Sequence, residues 1–220
     1  AMAELSGDVR LVVDESVIEL FKYSDFKDKV LAPEEVADFK PDGQVFLTDL
    51  PAMMGEAALA APIKFHVPNK AVNAIKKRYT KMFEQKKRIG LIWTPNPDLE
   101  NDARAIDLPQ LAELIATPGM AFIDMQPGAA TSDREGFREA YEKLELFNDP
   151  DRDLTATILP IAEQMKALDA VVTVDAPLAH LAGSLGIPTM LLLPKPRSFF
   201  RPWQWESAKS GKCKAYPSIT

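Results

Sequence analysis

The sequence predicts an α/β protein built on doubly wound parallel sheets. Short, continuous apolar runs recur along the chain, and amphipathic stretches of helical length lie between them. Continuous rather than alternating apolar runs are typical of strands that helices cover on both faces. Strands that alternate with helices form parallel sheets with right-handed crossovers, so the doubly wound architecture follows.

The apolar runs and the amphipathic stretches give the predicted elements in order. The predicted strands are residues 9–13, 45–48, 88–93, 121–125, 170–174 and 189–193, and the predicted helices between the later strands are residues 108–115, 154–168 and 178–185. The polar stretch 131–153 is predicted to be an insertion that carries its own helix, residues 134–147.

Residues 69–87 predict one long basic helix whose apolar side is formed by Val72, Ile75, Tyr79, Met82 and Phe83. Two interpretations of its lysines stay open: they lie in water on a half-buried helix that joins two lobes, or they face an acidic partner surface. We place a domain boundary near residue 86. Residues 1–86 are then a partial N-terminal Rossmann-like lobe with its linking helix, and residues 87–220 form a C-terminal lobe.

Composition and charge exclude several classes of protein. Among 220 residues, 46% are hydrophobic and 26% are charged, which is typical of a globular domain. The formal net charge of −6 disfavours broad binding to nucleic acid or to a membrane surface. No apolar stretch approaches the roughly 18 residues of a membrane span. The single cysteine, Cys213, cannot form an internal disulfide, so we expect a cytoplasmic protein.

The loop after the predicted strand 88–93 is the first candidate binding segment. Doubly wound sheets bind ligands outside the carboxyl ends of their strands, where the strand order reverses. This loop carries hydrogen-bonding groups at Asn96, Asn101 and Asp102 and a fixed cation at Arg104. Two partners stay open for Arg104: a phosphate bound in fork geometry, or a nearby carboxylate.

The loop after the predicted strand 170–174 is the second candidate. It runs through Asp175, Ala176, Pro177 and Leu178 into a helix of small residues that contains His180. A strand that leads directly into a helix points backbone N–H groups and the positive helix end at a ligand, as a diphosphate requires. His180 is either a hydrogen-bond partner for a phosphate or sugar hydroxyl, or a structural residue. Asp175 is more typical of a cap or a loop support than of a base.

Three segments resemble the heptosyltransferase-like glycosyltransferases, and most closely the branch fused to tetratricopeptide repeats. Residues 168–188, LDAVVTVDAPLAHLAGSLGIP, are similar to that branch's nucleotide-sugar motif. Residues 88–106, with Trp93, Asn96-Pro97, Asn101-Asp102 and Arg104, are similar to its preceding strand and loop. The aromatic segment 199–217 resembles its closing segment.

The resemblance implies a GT-B-like fold, in which two Rossmann-like lobes face a cleft and the C-terminal lobe holds the nucleotide sugar. The implied reaction is inverting, metal-independent transfer of a sugar to a glycan or protein acceptor, with the nucleoside-diphosphate sugar as donor and no further cofactor. His180 and the backbone from Asp175 through Ala176 and Pro177 to Leu178 would face the diphosphate or sugar. Asn96, Asn101 and Arg104 would line the opposite side. A second copy of the chain and a tetratricopeptide-repeat protein are the alternatives for a protein partner.

The sequence departs from that family at three places. Ala176 and Pro177 stand where the family has a hydroxyl residue and a flexible small residue, and Gln126-Pro127-Gly128 lacks the family's basic residue. The opening strand and glycine-rich loop that carry the acidic catalytic base in the family have no counterpart, so the catalytic residues are unknown. The chain is then either a fragment of a longer enzyme or a reduced relative. The carboxylates near its start, Asp14, Glu15, Asp49 and Glu56, are predicted to be surface residues or caps.

Two classes of function are consistent with these features. The first is a glycosyltransferase, or the nucleotide-sugar half of one. The second is a non-catalytic domain that uses a GT-B-like shell for protein interaction or scaffolding. A nicotinamide-binding Rossmann domain is disfavoured, because no strand is followed by the pattern G-x-G-x-x-G.

Overall fold

The computed structural model describes residues 8–54, 63–96, 102–128, 131–152, 154 and 157–194. The predictions for Asn101 and for the aromatic segment 199–217 lie outside these ranges. Among the described helices, none is both long enough and apolar enough to cross a bilayer.

The N-terminal part contains a small parallel sheet with a helical crossover. Strands β1 (Leu11–Val12) and β2 (Val30–Leu31) pair in parallel, and helix α1 (Glu15–Phe21) connects them. Asp14 caps α1, because its Oδ1 accepts the backbone N–H of Ser16 at 2.9 Å. The helices α2 (Val36–Phe39) and α3 (Leu50–Met54) follow.

The predicted strand 45–48 is wrong. Residues Leu47–Asp49 form a single 3₁₀ turn, and the Phe46 side chain is 75% exposed. An apolar run becomes a buried strand only when a neighbouring strand or layer covers it, and the described residues place none there.

The basic helix α4 (Asn69–Phe83) is shorter than the predicted 69–87. Glu84 ends it, because this residue adopts a positive φ of 51° that a helix does not tolerate. The face formed by Val72, Ile75, Tyr79 and Phe83 is buried, as predicted. Met82, predicted on the same side, is 47% exposed.

The remaining elements build one five-stranded sheet and its flanking helices. They are β3 (Lys87–Ile92), α5 (Ala112–Ile115), β4 (Met120–Asp124), α6 (Thr131–Ala140), β5 (Leu146–Phe147), α7 (Ile158–Lys166), β6 (Ala170–Val174), α8 (Pro177–Ser184) and β7 (Thr189–Leu192), with a 3₁₀ turn at Leu108–Leu111 leading into α5.

The strand order is β5-β4-β3-β6-β7, and all neighbouring strands are parallel. Apolar side chains of α4, α7 and α8 form a buried cluster on one face of the sheet, and those of α5 and α6 form a second cluster on the other face. The doubly wound parallel sheet is therefore confirmed, together with the predicted strands that became β3, β4, β6 and β7.

Residues 131–153 are not an insertion. They contain α6, which ends at Ala140 rather than extending to 147, and the edge strand β5, whose Leu146 pairs with Phe122 of β4. A strand of two residues is too short to be distinguished by its apolar pattern, because any two neighbouring apolar residues would match it. The stretch is an ordinary crossover unit of the sheet.

The edge where the strands begin is held by an ion pair. Arg88 is the second residue of β3, and its Nε and Nη2 donate to the two carboxylate oxygens of Asp169, just before β6, at 2.7 and 2.9 Å. The backbone N–H of Arg88 donates to the same carboxylate at 2.8 Å. In the N-terminal part, Leu20 of α1 belongs to the same hydrophobic cluster as side chains of α7. The domain boundary near residue 86 stays a prediction.

Candidate functional site

The strand order reverses between β3 and β6. From β3 the chain builds outward through β4 to β5, and it then returns to the other side of β3 to build β6 and β7. The loops that leave the carboxyl ends of β3 and β6 therefore diverge and open a crevice between them. Both candidate loops predicted from the sequence start at this crevice.

The loop after β3 is anchored by Gln126. The side-chain Oε1 of Gln126 accepts the backbone N–H of Trp93 at 3.1 Å and that of Thr94 at 3.0 Å. Gln126 is only 2% exposed, so these two buried amides have a fixed acceptor. Further along, the Thr94 hydroxyl donates to the backbone carbonyl of Asn96 at 3.3 Å, and the Asn96 side chain is exposed.

Of the two partners left open for Arg104, a phosphate and a nearby carboxylate, the structure shows the carboxylate of Asp102. Its Nε and Nη2 donate to the two carboxylate oxygens of Asp102 at 3.0 and 2.7 Å, and its backbone N–H donates to Asp102 Oδ1 at 2.9 Å. These hydrogen bonds lower the pKa of Asp102. The Asp102 side chain is 7% exposed and that of Arg104 is 43% exposed, so the guanidinium still faces solvent.

Helix α8 begins immediately after β6 without a side-chain cap. Its N-cap is Ala176, and Pro177 occupies the first turn, where a missing N–H costs nothing. Asp175 does not cap the helix, since it precedes the N-cap. Ala179 N–H donates to the Ala176 carbonyl at 2.9 Å, and the Leu178 side chain lies in the hydrophobic core. Leu178 can thus face a ligand only through its backbone.

His180 is a half-buried residue in the first turns of α8. Burial lowers its pKa, and the negative charge of Asp175 partly opposes that shift. A lowered pKa keeps the imidazole neutral near pH 7. His180 therefore offers a hydrogen-bond donor and an acceptor rather than a positive charge.

The structure brings the two loops together. Arg104 Nη1 lies 3.5 Å from the backbone carbonyl oxygen of Asp175, a longer distance than the roughly 2.7–3.2 Å of an ordinary N–H···O hydrogen bond. This contact joins the loop after β3 to the loop after β6 at the point of reversal. Two of the predicted site residues, Asn96 and Arg104, lie on the loop after β3. The others described by the structure lie on the loop after β6 or at the start of α8: Asp175, Ala176, Pro177, Leu178 and His180.

A polar cavity lies on the same edge of the sheet, beyond the ends of β4 and β5. It has a volume of about 160 Å³. Arg134 spans its wall, with Nε 2.5 Å from Asp124 Oδ2 and Nη2 2.7 Å from the Gln126 carbonyl. The lining residues come from the ends of both strands, from α6 and from α7: Asp124, Gln126, Gly128, Arg134, Asn148, Asp149, Arg152, Leu154 and Gln164.

Gln126 connects this cavity to the crevice, because it lines the cavity and also binds the backbone of the β3 loop. Trp93 makes a second connection. Its indole N–H donates to Asp133 Oδ2 at 3.1 Å, and the Arg134 guanidinium lies over its ring at 5.6 Å. The cavity and the crevice are thus neighbouring parts of one polar edge.

A buried polar network links the cavity to α4. The Tyr79 hydroxyl donates to Asp149 Oδ2 at 2.6 Å and accepts from Gln164 Nε2 at 2.7 Å. Arg78 forms ion pairs with Asp149 and Asp151. Burial raises the pKa of Tyr79, and the adjacent Asp149 carboxylate adds to this effect, so the hydroxyl stays protonated and serves as a donor.

The sequence reasoning missed this cavity. Polar residues at strand ends carry the signal: Asp124 closes β4, and Asn148 and Asp149 directly follow β5. The predicted helix 134–147 included the residues of β5, so the end of this strand was not recognised from the sequence. Across the described ranges, no group of three or more His, Cys, Asp or Glu side chains is arranged to hold a metal ion.

No protein-family model matches the chain, and no curated protein matches it significantly. Among solved structures, the chain is similar to a glycosyl transferase family 9 protein from Veillonella parvula DSM 2008, with 18% identity over 59% of this chain and 36% of that one and a TM-score of 0.38. It is also similar to the wall teichoic acid polymerase TagF in an H444N variant, with 10% identity, 83% and 39% coverage and a TM-score of 0.35. The H548A variant of TagF gives 11% identity, 94% and 42% coverage and a TM-score of 0.35.

The chain spans between 36% and 42% of the length of these structures. The described residues define a doubly wound α/β protein with a crevice at the reversal of strand order and a polar cavity beside it.

Proposed function

We propose that this protein binds a nucleoside-diphosphate sugar along the carboxyl edge of the five-stranded sheet, as the donor half of a glycosyltransferase. The observation that carries the proposal is the contact between Arg104 and Asp175, which places an exposed cation beside the start of α8 at the reversal of strand order. Crevices of this kind are where open α/β sheets bind their ligands.

The diphosphate is assigned to the start of α8. Pro177 has no N–H and the Ala179 N–H donates to the Ala176 carbonyl, so an anion there would be favoured by the helix dipole and the backbone N–H of Leu178. Arg104 faces the same point with part of its guanidinium in solvent, while Asp102 holds its orientation. Neutral His180 supplies a hydrogen bond to a phosphate oxygen or to a sugar hydroxyl.

The nucleoside base is assigned to the polar cavity. Its volume of about 160 Å³ is comparable to the ~150 Å³ that holds a benzene-sized molecule, so it accommodates one ring system and leaves the diphosphate outside. Carboxylate, amide and guanidinium groups line it, and the edge of a nucleobase needs both donors and acceptors. Gln126 lies between this cavity and the loop after β3, in the path that a ribose would span.

The proposed reaction is inverting transfer without a metal ion. The acceptor hydroxyl oxygen bonds to the anomeric carbon as the bond from that carbon to the diphosphate oxygen breaks, and the hydroxyl proton passes to a base. The leaving diphosphate gains negative charge in this step, and the positive end of α8 with Arg104 would stabilise it. No residue of this chain is proposed as the base, and the acceptor is a glycan or a protein.

Thermal unfolding with UDP, GDP, ADP or CDP at millimolar concentration tests the proposal. A ligand that binds only the folded protein stabilises it by about 2.7 kcal/mol at a concentration one hundred times its Kd. We expect one nucleotide to raise the Tm, and the Arg104→Gln and His180→Ala variants to reduce that shift. Arg138→Gln, an exposed arginine on α6, is the matched control and should respond like the parent protein. The absence of a shift with all four nucleotides would overturn the proposal.

A non-catalytic interaction domain is the second candidate, and one observation favours it. Val45, Phe46 and Leu47, which are neighbours in the chain, and Met53 are large apolar residues exposed in the N-terminal part. Soluble proteins rarely leave several large apolar side chains together in water unless a partner covers them. Size-exclusion mass at several concentrations tests it: Phe46→Ser with Leu47→Ser should abolish an association that the parent protein shows, and a parent protein that is monomeric throughout counts against this function.

A further inference from the structure

The outer face of helix α4 carries a row of lysines. Lys70, Lys77 and Lys81 are spaced by seven and four residues, which places them on one side of a helix, and all three are exposed. At a rise of 1.5 Å per residue, their backbones span about 16 Å. Lys76 is also exposed, but it lies about 100° around the helix from Lys77. We call Lys70, Lys77 and Lys81 the lysine row.

The lysine row has no compensating negative charge on its own helix. Residues 69–83 contain no Asp or Glu, although the whole chain has a net charge of −6. Among the described residues, every ion pair is made by an arginine and none by a lysine of the row. The one arginine of α4, Arg78, is paired with Asp149 and Asp151. Positive charge is therefore concentrated on this face of α4, although the protein as a whole is negatively charged.

The chemistry of this face favours one kind of partner. Protein interfaces depend on aromatic and arginine side chains that fill pockets, and proteins that bind single-stranded nucleic acid combine a basic groove with stacking aromatic rings. The exposed face of α4 has neither, because Asn73, Ala74 and Thr80 lie between its lysines. Lysine is a compact point charge without fork geometry, which suits a diffuse layer of negative charge.

We propose that the lysine row docks the protein on a membrane surface rich in anionic phospholipid headgroups. Each lysine near such a surface adds to the electrostatic attraction, and this attraction decays over a distance of about one Debye length from the surface. The opposite side of α4 stays packed against the sheet through Val72, Ile75 and Phe83, so docking requires no unfolding. The binding is peripheral and does not depend on the proposed sugar transfer.

Sedimentation with lipid vesicles tests this proposal on the full chain. We expect binding to phosphatidylcholine vesicles that contain about one third phosphatidylglycerol, no binding to phosphatidylcholine alone, and loss of binding near 1 M salt. The double variant Lys77→Gln with Lys81→Gln should weaken binding by about 25-fold, since each lysine near an anionic surface contributes roughly a factor of five. Its Tm should not change, because both side chains are exposed.

The matched control is Lys27→Gln with Lys29→Gln, which removes the same charge from exposed positions in the N-terminal part. This control should bind vesicles like the parent protein. Equal binding by both double variants would overturn the proposal, as would a failure of the parent protein to bind anionic vesicles at low salt. Displacement from vesicles by an equal concentration of polyglutamate or RNA would assign the lysine row to an acidic protein or a nucleic acid instead.

Discussion

The guanidinium of Arg104 contacts the backbone carbonyl oxygen of Asp175 at 3.5 Å and also donates two hydrogen bonds to the carboxylate of Asp102. Asp102 and Arg104 belong to the loop after β3, and Asp175 begins the loop after β6. This one side chain therefore connects the two loops that border the reversal of strand order. In the proposed function, the ion pair with Asp102 would hold the Arg104 guanidinium in place beside the diphosphate.

The Asp102→Asn variant should weaken nucleotide binding more than it weakens the fold. The asparagine amide removes the negative charge beside Arg104 and can no longer accept two hydrogen bonds from its guanidinium. We expect the unfolding free energy to fall by less than about 1 kcal/mol, because the 43% exposed guanidinium is screened by solvent. Isothermal titration should show the loss of affinity, and chemical denaturation should show the stability. A large loss of stability with unchanged affinity would contradict this role.

The Gln126→Leu variant should loosen the loop after β3. Leucine leaves the backbone N–H groups of Trp93 and Thr94 buried without an acceptor, and each such group costs about 1–3 kcal/mol. We expect faster hydrogen exchange in the peptide that contains residues 93–96 and a lower Tm. Gln110→Leu, an exposed glutamine, is the matched control and should change neither quantity. Unchanged exchange in the Gln126 variant would show that the loop has another anchor.

The stability of the protein should fall as the pH is lowered through about 6.5, and His180 should be responsible for part of this fall. Burial lowers the pKa of His180 in the folded state, so between the two pKa values the unfolded state binds more protons. The unfolding free energy then rises with pH in that window and levels off above the unfolded pKa of about 6.5. Denaturation at pH 5 to 8 should show a shallower slope in His180→Gln. An identical slope in both proteins would refute the assignment.

The Gly90→Ala variant should destabilise the sheet. A Cβ at Gly90 would approach Leu168 Cδ1 to 2.7 Å and Met125 Cγ to 3.0 Å, and both neighbours are buried. Overpacking of this kind costs about 1–3 kcal/mol. The control Gly136→Ala lies on α6 with no atom near the new Cβ, and it should stabilise the helix by roughly 0.5–1 kcal/mol. Urea denaturation of the two variants should therefore give changes of opposite sign.

Strand-level features were predictable because their cause is local. Residues 170–174 form a continuous apolar run, and β6 has these bounds. The candidate loops were also predictable, since parallel strands that reverse order must leave loops at a common crevice. Residues 45–48 have the same apolar character, yet they form a turn, because burial of a run depends on what lies beside it in space.

The sequence by itself determined the parallel α/β sheet and the two loops that start at its carboxyl edge. Only the tertiary structure decided that Arg104 pairs with Asp102 and reaches Asp175, and that Gln126 holds the amides of the β3 loop. It also revealed the cavity beside Arg134 and the edge strand Leu146–Phe147. The physical reason is range: hydrophobic periodicity acts between neighbours in the chain, whereas hydrogen bonds and ion pairs join residues that only the completed sheet brings together.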